Sequence, residues 1–212
     1  MASTTQETRQ HSANAGTIRQ VPIYVAGEWQ TSDDPLDVRN PYTGEIIATT
    51  YQASREQLEQ AITGAERAFE ITRKMPTFER VALLEAMASG LAARRDEMAA
   101  TIATEAGKPI RDAEVETDRG IFTLKTAAEE AKRLEGEVIA LDLIPSSKGR
   151  SAIVRRFPIG PIAGISPFNF PLNLALHKIA PAIASGNTIV LKPPSRDPLT
   201  MLLFAEIVEA AK

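Results

Sequence analysis

The sequence predicts an α/β protein built on a parallel sheet, and three observations carry that reading. Residues 159–212 alternate strand, helix, strand, helix, the order that produces parallel strands joined by a crossover helix. From Ser54 to about Leu134, apolar residues recur at helical spacing in three successive stretches. Before and after that helical stretch lie short runs of β-branched and aromatic residues bounded by Gly, Pro and Asn, as small antiparallel strands require.

Taken in order, residues 1–20 (MASTTQETRQHSANAGTIRQ) are polar and have no apolar h-region, so they are expected to form a disordered tail and not a secretory signal. Residues 22–30 read as a strand interrupted by a turn at Gly27, and 40–45 (NPYTGE) as a turn leading into a strand at 46–49. Ser54 with Gln57 three residues on is a capping-box pair, and Leu58, Ile62, Ala65 and Phe69 mark one face of the helix that follows. Thr77 is placed to cap a second helix. Its stripe of Leu84, Met87, Leu91, Met98 and Ile102 ends at Gly107-Lys108-Pro109, with Gly at the exit and Pro just beyond. A third, highly charged helix covers about 112–134 and closes on Gly136. These stripes read as core packing. Residues 138–143 and 151–157 form two strand-like runs across a polar loop, an expected antiparallel pair. In the last unit, 159–166 and 188–191 are the strands, and 172–185 and 199–211 the helices. Pro181 is expected to kink or divide the first of these helices.

Composition removes several function classes. A chain of 212 residues accommodates one or two domains. A formal net charge of −3 gives no electrostatic footprint for nucleic acid, and no apolar run approaches the ~18–20 residues of a membrane span. There is no cysteine, hence no disulfide, thiolate metal site or thiol nucleophile within these residues. His11 and His177 are too few and too distant for an imidazole metal centre. A cytoplasmic protein with no metal is the default expectation.

In a parallel α/β sheet, ligands bind at the carboxyl ends of the strands. The first such end is Ile165-Ser166-Pro167-Phe168-Asn169-Phe170-Pro171. Asn169 sits there on a proline-braced turn, and two readings are open. Its carbonyl is suited to capping the following helix, whereas its amide is an uncharged donor suited to a developing oxyanion. The second end is Lys192-Pro193-Pro194-Ser195-Arg196. It is either a phosphate-facing basic loop or a stiff connector with solvated charges. No G-x-G-x-x-G follows either strand, so the usual pyrophosphate cradle is absent.

Two long segments, GPIAGISPFNFP (160–171) and KIAPAIASGNTIVLKP (178–193), closely resemble the coenzyme-domain core of the NAD(P)-dependent aldehyde dehydrogenases. That pattern is Pro-[Trp/Phe]-Asn-[Phe/Tyr]-Pro, then Lys-x-[Ala/Gly]-Pro-Ala-[Leu/Ile]-Ala-x-Gly-Asn, then a strand ending in Lys-Pro. The early Gly-Glu-Trp strand, the Asn-Pro-x-Thr-Gly turn and the helical arm also fit, so the resemblance covers residues 21–212. It implies an incomplete Rossmann-like parallel sheet with an N-terminal helical arm and a small β oligomerisation arm. The implied divisions are 21–136 for the first strands and helices of the coenzyme-binding domain, 137–158 for the arm, and 159–212 for the first βαβα of the Rossmann-like part.

The resemblance further implies that Asn169 is the oxyanion donor. It implies that the backbone of Ile165, Ser166, Pro167 and Phe168 lines the nicotinamide side of NAD or NADP, and that Lys192 meets the adenosine ribose or its phosphate. Lys178 is open between a proton path and helix packing, and His177 takes no family role. Many NAD-specific members carry Glu where this chain has Ser195, which leaves NADP use open. Serine there resembles the branch acting on small hydroxy-, phospho- or semialdehydes. The implied reaction is oxidation of a small aldehyde to a carboxylic acid through a thiohemiacetal, in a homo-dimer or homo-tetramer. The family's nucleophilic Cys, general-base Glu and glycine-rich turn are expected beyond Lys212. The chain alone is accordingly expected to be inactive, and the rival expectation is a non-catalytic fragment serving only in assembly.

Overall fold

The computed structural model describes residues 18–211, so most of the segment read as a disordered tail lies outside the described residues. Its last part, 18–20, is paired: the Arg19 carbonyl accepts from the Thr49 N–H at 2.9 Å, and Gln20 bridges Thr49 in parallel. A strand's free edge offers backbone partners whatever the side chains of the approaching segment, so composition carries no trace of this contact.

Strands β1 (Ile23–Val25) and β2 (Glu28–Gln30) form the expected hairpin. Ala26 and Gly27 both take positive φ, 52° and 93°, which matches the twist that two-residue hairpins need. Strand β3 (Pro35–Arg39) has no counterpart in the sequence reading and pairs antiparallel with β4 (Ile46–Tyr51). In β3 only Val38 is buried, and Pro35, Asp37 and Arg39 obscure its alternation.

Helix α1 (Arg55–Thr72) starts with the predicted capping box, its Gln57 N–H donating to Ser54 Oγ at 3.2 Å and its Ser54 N–H to Gln57 Oε1 at 3.0 Å. Its predicted stripe is only partly core: Ala65 is buried, while Leu58 and Ile62 are exposed. The helix docks through small residues instead, with Gly64 against Ala26 and the Ala65 carbonyl accepting from Thr188 Oγ1 at 2.9 Å. The second predicted helix is two, α2 (Thr77–Ala93) and α3 (Arg95–Ala106), broken at Arg94 (φ −109°, ψ 24°). Arg94 is held there by Glu97 and Glu206, each at 2.7 Å. Periodicity could not reveal the break, because Leu84, Met87, Leu91, Met98 and Ile102 on both sides of it are buried in one core. Thr77 is not the cap. Pro76 precedes the helix, and the Thr77 hydroxyl accepts from Arg80 at 2.9 Å. Gly107 ends α3 in the left-handed conformation, φ 67°.

Helix α4 (Ile110–Ala131) lies against α2, α3 and α5. Strands β5 (Glu137–Ala140) and β6 (Ser151–Val154) form the expected antiparallel pair, and their side chains are largely exposed. The terminal βαβα unit is present as read: β7 (Pro161–Ile165), α5 (Asn173–Ala184), β8 (Thr188–Lys192) and α6 (Leu199–Ala210), with β7 and β8 parallel. Helix α5 is one element with Pro181 inside it, near its end, so the expected division of the helix does not occur. Gly120 on α4 lets α5 approach closely: a Cβ there would sit 3.0 Å from Leu176 Cδ1 and 3.1 Å from Leu172 Cδ2. The main core joins α2 to α6, with Phe204, Leu84, Leu91 and Leu176 fully buried and Ile189 and Leu191 of β8 against them.

Candidate functional site at the carboxyl ends of the parallel strands

The register Ile165↔Lys192 brings the ends of β7 and β8 side by side, and the Ser166 N–H extends the ladder to the Lys192 carbonyl at 3.1 Å. One edge therefore gathers Ile165, Ser166, Pro167, Phe168, Asn169, Lys192 and Ser195. Ile165 and Phe168 are 70% and 54% exposed there. Ser166 is buried as a whole residue, at 5% exposure. Arg196 lies over the Phe168 ring, 5.4 Å from the centroid, and so links the two strand-end loops.

The Asn169 side chain is exposed and none of the described residues hydrogen-bonds its carboxamide. The alternative in which it caps α5 is excluded, because the cap comes from another helix. Glu116 of α4, with no exposed side-chain surface, accepts from the Leu172 and Asn173 N–H groups at 3.0 and 3.1 Å. Its other oxygen binds Lys108 Nζ, which also donates to the Asn169 carbonyl at 3.0 Å and stands 4.0 Å from the Phe170 ring centroid. Glu105 of α3 repeats the arrangement on α6, accepting from the Leu199 and Thr200 N–H groups at 2.7 and 2.6 Å and from the Thr200 hydroxyl. Both helix N-termini of the βαβα unit, where a phosphate would ordinarily sit, are thus occupied by carboxylates of the protein itself.

Lys192 Nζ donates to Ser195 Oγ at 3.1 Å, and both side chains are exposed. The nearby acid, Asp197, is buried at 1% exposure with its Oδ1 unbonded. The outward face of this loop therefore presents an ammonium and a hydroxyl and no carboxylate, which fits a ribose hydroxyl or a 2′-phosphate. With both helix termini filled and no glycine cradle, these residues fit the adenosine-ribose end and the nicotinamide-facing backbone of a dinucleotide, not its pyrophosphate.

Lys108, Glu116, Glu105 and Asp197 were not singled out in the sequence, although a signal existed for one of them. Glu116 lies in the stripe Ala113, Thr117, Gly120 and Leu124 that α4 buries, and a lone charge in such a stripe points to a buried partner. Asp197 is pushed up to about 7, first by burial and then by the charge of Glu116, with Lys108 and Arg196 opposing. Glu105 is also pushed up to about 7 by burial, against the hydrogen bonds from Thr200 and Leu199. A carboxyl raised above its ordinary value adds stability that is complete below about pH 4 and lost as pH rises through 7. Asp197→Asn fixes the neutral form, so it is expected to raise Tm at pH 8 and to leave it nearly unchanged below pH 4. Melting curves of both chains at the two pH values check this; Glu105 titrates in each, and because the Asp197 charge contributes to raising it, the difference reads the coupled pair. Equal shifts at both pH values would assign the effect to packing instead.

Fold and strand order together define a Rossmann-like α/β protein. The model of the aldehyde dehydrogenase family matches residues 29–212, and the chain belongs to that family. It is similar to 3-sulfolactaldehyde dehydrogenase of Priestia aryabhattai, 39% identical over 92% of this chain and 40% of that protein. Lactaldehyde dehydrogenase of Methanocaldococcus jannaschii is 41% identical over 89% of this chain and 39% of its own length. Among solved structures, aldehyde dehydrogenase 21 of Physcomitrella patens, in complex with the reaction product succinate, superposes with a TM-score of 0.89 at 43% identity, covering 93% of this chain and 41% of that one. NADP-dependent glyceraldehyde-3-phosphate dehydrogenase of Bacillus halodurans, complexed with NADP, gives 0.87 at 35% identity, covering 91% and 41%. The chain thus spans about 40% of the length of the curated relatives it matches.

Proposed function

We propose that this chain supplies the oxyanion-binding amide and the adenosine-ribose end of the coenzyme site of an enzyme that oxidises a small aldehyde to a carboxylic acid with NAD or NADP. The observation that carries the reading is the Asn169 carboxamide, exposed and unbonded at the end of β7 beside the Lys192–Ser195 pair. In the family reaction a cysteine thiolate adds to the aldehyde carbon to give a thiohemiacetal, and the carbonyl π pair moves to oxygen. Asn169 donates an N–H to that oxygen in a site where its own helix makes no demand on it. A bound nicotinamide dinucleotide supplies the hydride acceptor. The chain holds no cysteine, so the thiol comes from residues outside these 212, and the purified chain is expected to show no aldehyde oxidation. Measurable turnover by it would overturn this division of labour.

The names of the relatives support a small hydroxyaldehyde as substrate. In this reading residues 21–136 and 159–212 belong to the coenzyme-binding domain of a cytoplasmic enzyme. The β5–β6 arm within 137–158, where Val138 and Ile153 are 78% and 73% exposed, joins subunits into a homo-dimer or homo-tetramer.

Coenzyme choice follows from the strand-end loop. A carboxylate at position 195 would repel a 2′-phosphate, whereas the Ser195 hydroxyl and Lys192 ammonium receive one. The chain is expected to bind 2′,5′-ADP more tightly than 5′-AMP, and Ser195→Glu to shift that ratio tenfold or more toward AMP, since ~1.4 kcal/mol of discrimination is tenfold. NMR titration of the Lys192 and Ser195 amides checks both. Identical affinities in wild type and variant would reduce the loop to a connector.

A further inference from the structure

We propose that Lys108 is a positioning residue for Asn169: its ammonium, held by Glu116, fixes the Asn169 peptide so that the carboxamide is held at the carboxyl end of β7. The inference deepens the proposed role of Asn169 and rests on it.

An amide that is to meet a transient oxyanion must be held within about 0.5 Å of its working position before the charge develops, and an error of ~1 Å costs of the order of 100-fold. The Asn169 side chain has no hydrogen bond that could hold it, so the constraint must come through its backbone. On either side the chain is pinned. The Ser166 N–H binds the Lys192 carbonyl at 3.1 Å, and the Leu172 and Asn173 N–H groups bind Glu116. Prolines 167 and 171 restrict φ at two more positions. Among the described residues, the bond to the peptide of Asn169 itself is the one from Lys108 Nζ to its carbonyl, at 3.0 Å.

Lys108 is built for that task. Its side chain is 15% exposed, and its three N–H donors face the Glu116 carboxylate, the Asn169 carbonyl and the Phe170 ring 4.0 Å away. Gly107, left-handed at the end of α3, turns the chain just before it, and Pro109, ahead of α4, restricts φ just after it. Glu116 does two things at once. One oxygen anchors the ammonium, and the other takes the helix N–H groups that the Asn169 carbonyl would otherwise seek. A purely structural pair would need only the ion pair and the cap; the bond to the Asn169 carbonyl satisfies neither.

The test uses the 212-residue chain and no turnover, so a loose loop and an inactive Asn169 are separate results. Backbone and side-chain 15N relaxation is measured in wild type, Lys108→Met, Lys108→Arg and the double variant Lys108→Met/Glu116→Gln, which leaves no unpaired buried carboxylate. In wild type the Asn169 backbone order parameter is expected near the rigid value of ~0.85, and in Lys108→Met below ~0.6, while α5 from Leu174 onward stays rigid. Lys108→Arg, which keeps the charge and the donors, is expected to restore most of the order. The double variant is expected to fold and to show the same local loosening. An unchanged Asn169 in either Met variant, loosening spread equally through α5, or unfolding of both Met variants would each overturn the proposal, the last because Lys108 would then be a requirement of the fold and not of the loop.

Discussion

Asn169→Ala, in an active aldehyde dehydrogenase containing this chain, is expected to lower kcat by ~10²–10³, the usual loss for an oxyanion donor. KM for the aldehyde should move far less, because the amide meets negative charge only after the thiolate has added. The two roles open to Asn169 predict opposite patterns. A helix cap would cost ~1 kcal/mol of stability on replacement by alanine. An exposed side chain without partners should cost within about ±0.5 kcal/mol, and the geometry places Asn169 in the second class, because Glu116 holds the N–H groups that the cap would need. Asn169→Asp is expected to be worse than Ala in kcat, since it sets a carboxylate against the oxyanion. Steady-state kinetics alongside urea melts read both axes. A loss of kcat under threefold would remove Asn169 from the chemistry, and a stability loss above 1 kcal/mol would return it to capping.

How far the sequence went can be seen in that residue. The turn carrying Asn169, the strands on either side and the parallel βαβα order were all readable, since each rests on local pattern: apolar runs, a braced turn, glycine at a helix exit. The capping box at Ser54 and Gln57 and the exit at Gly107 were readable for the same reason. The carboxylate that takes the first N–H groups of α5 in place of Asn169 was not, because Glu116 stands 56 residues before Leu172 and no local spacing links a charge on α4 to the first turn of α5. Strand β3 was missed for a related cause. With one buried residue in five, its pairing is dictated by β4 and not by its own alternation. The break at Arg94 was hidden because both halves of the helix serve one core, and the kink at 94 is set by ion pairs to Glu97 and, across the fold, to Glu206.

Glu116→Ala is expected to destabilise the chain by ~3–5 kcal/mol, the range for removing one partner of a buried ion pair. The carboxylate has no exposed surface and its Lys108 partner is 15% exposed, so little water is at hand to replace it. The Leu172 and Asn173 N–H groups lose their acceptor together, and the Lys108 ammonium loses its counter-charge while keeping the Asn169 carbonyl. Each buried donor left unsatisfied costs ~1–3 kcal/mol on its own, so the upper half of the range is the better expectation. Glu116→Gln should fall between wild type and Ala, because its amide oxygen still accepts from the helix while the charge on Lys108 goes uncompensated. Glu129, 56% exposed and paired with Lys132 on the same helix, is the control, and Glu129→Ala should cost under ~0.5 kcal/mol. Against a total stability of ~5–15 kcal/mol for an ordinary domain, the loss at 116 is large enough to bring the midpoint of a urea transition close to water. Hydrogen exchange locates it: the Leu172 and Asn173 amides should lose protection by more than the global change accounts for. A Glu116→Ala chain within 1 kcal/mol of wild type, with those amides still protected, would mean that the buried carboxylate holds neither the helix nor the loop in front of it.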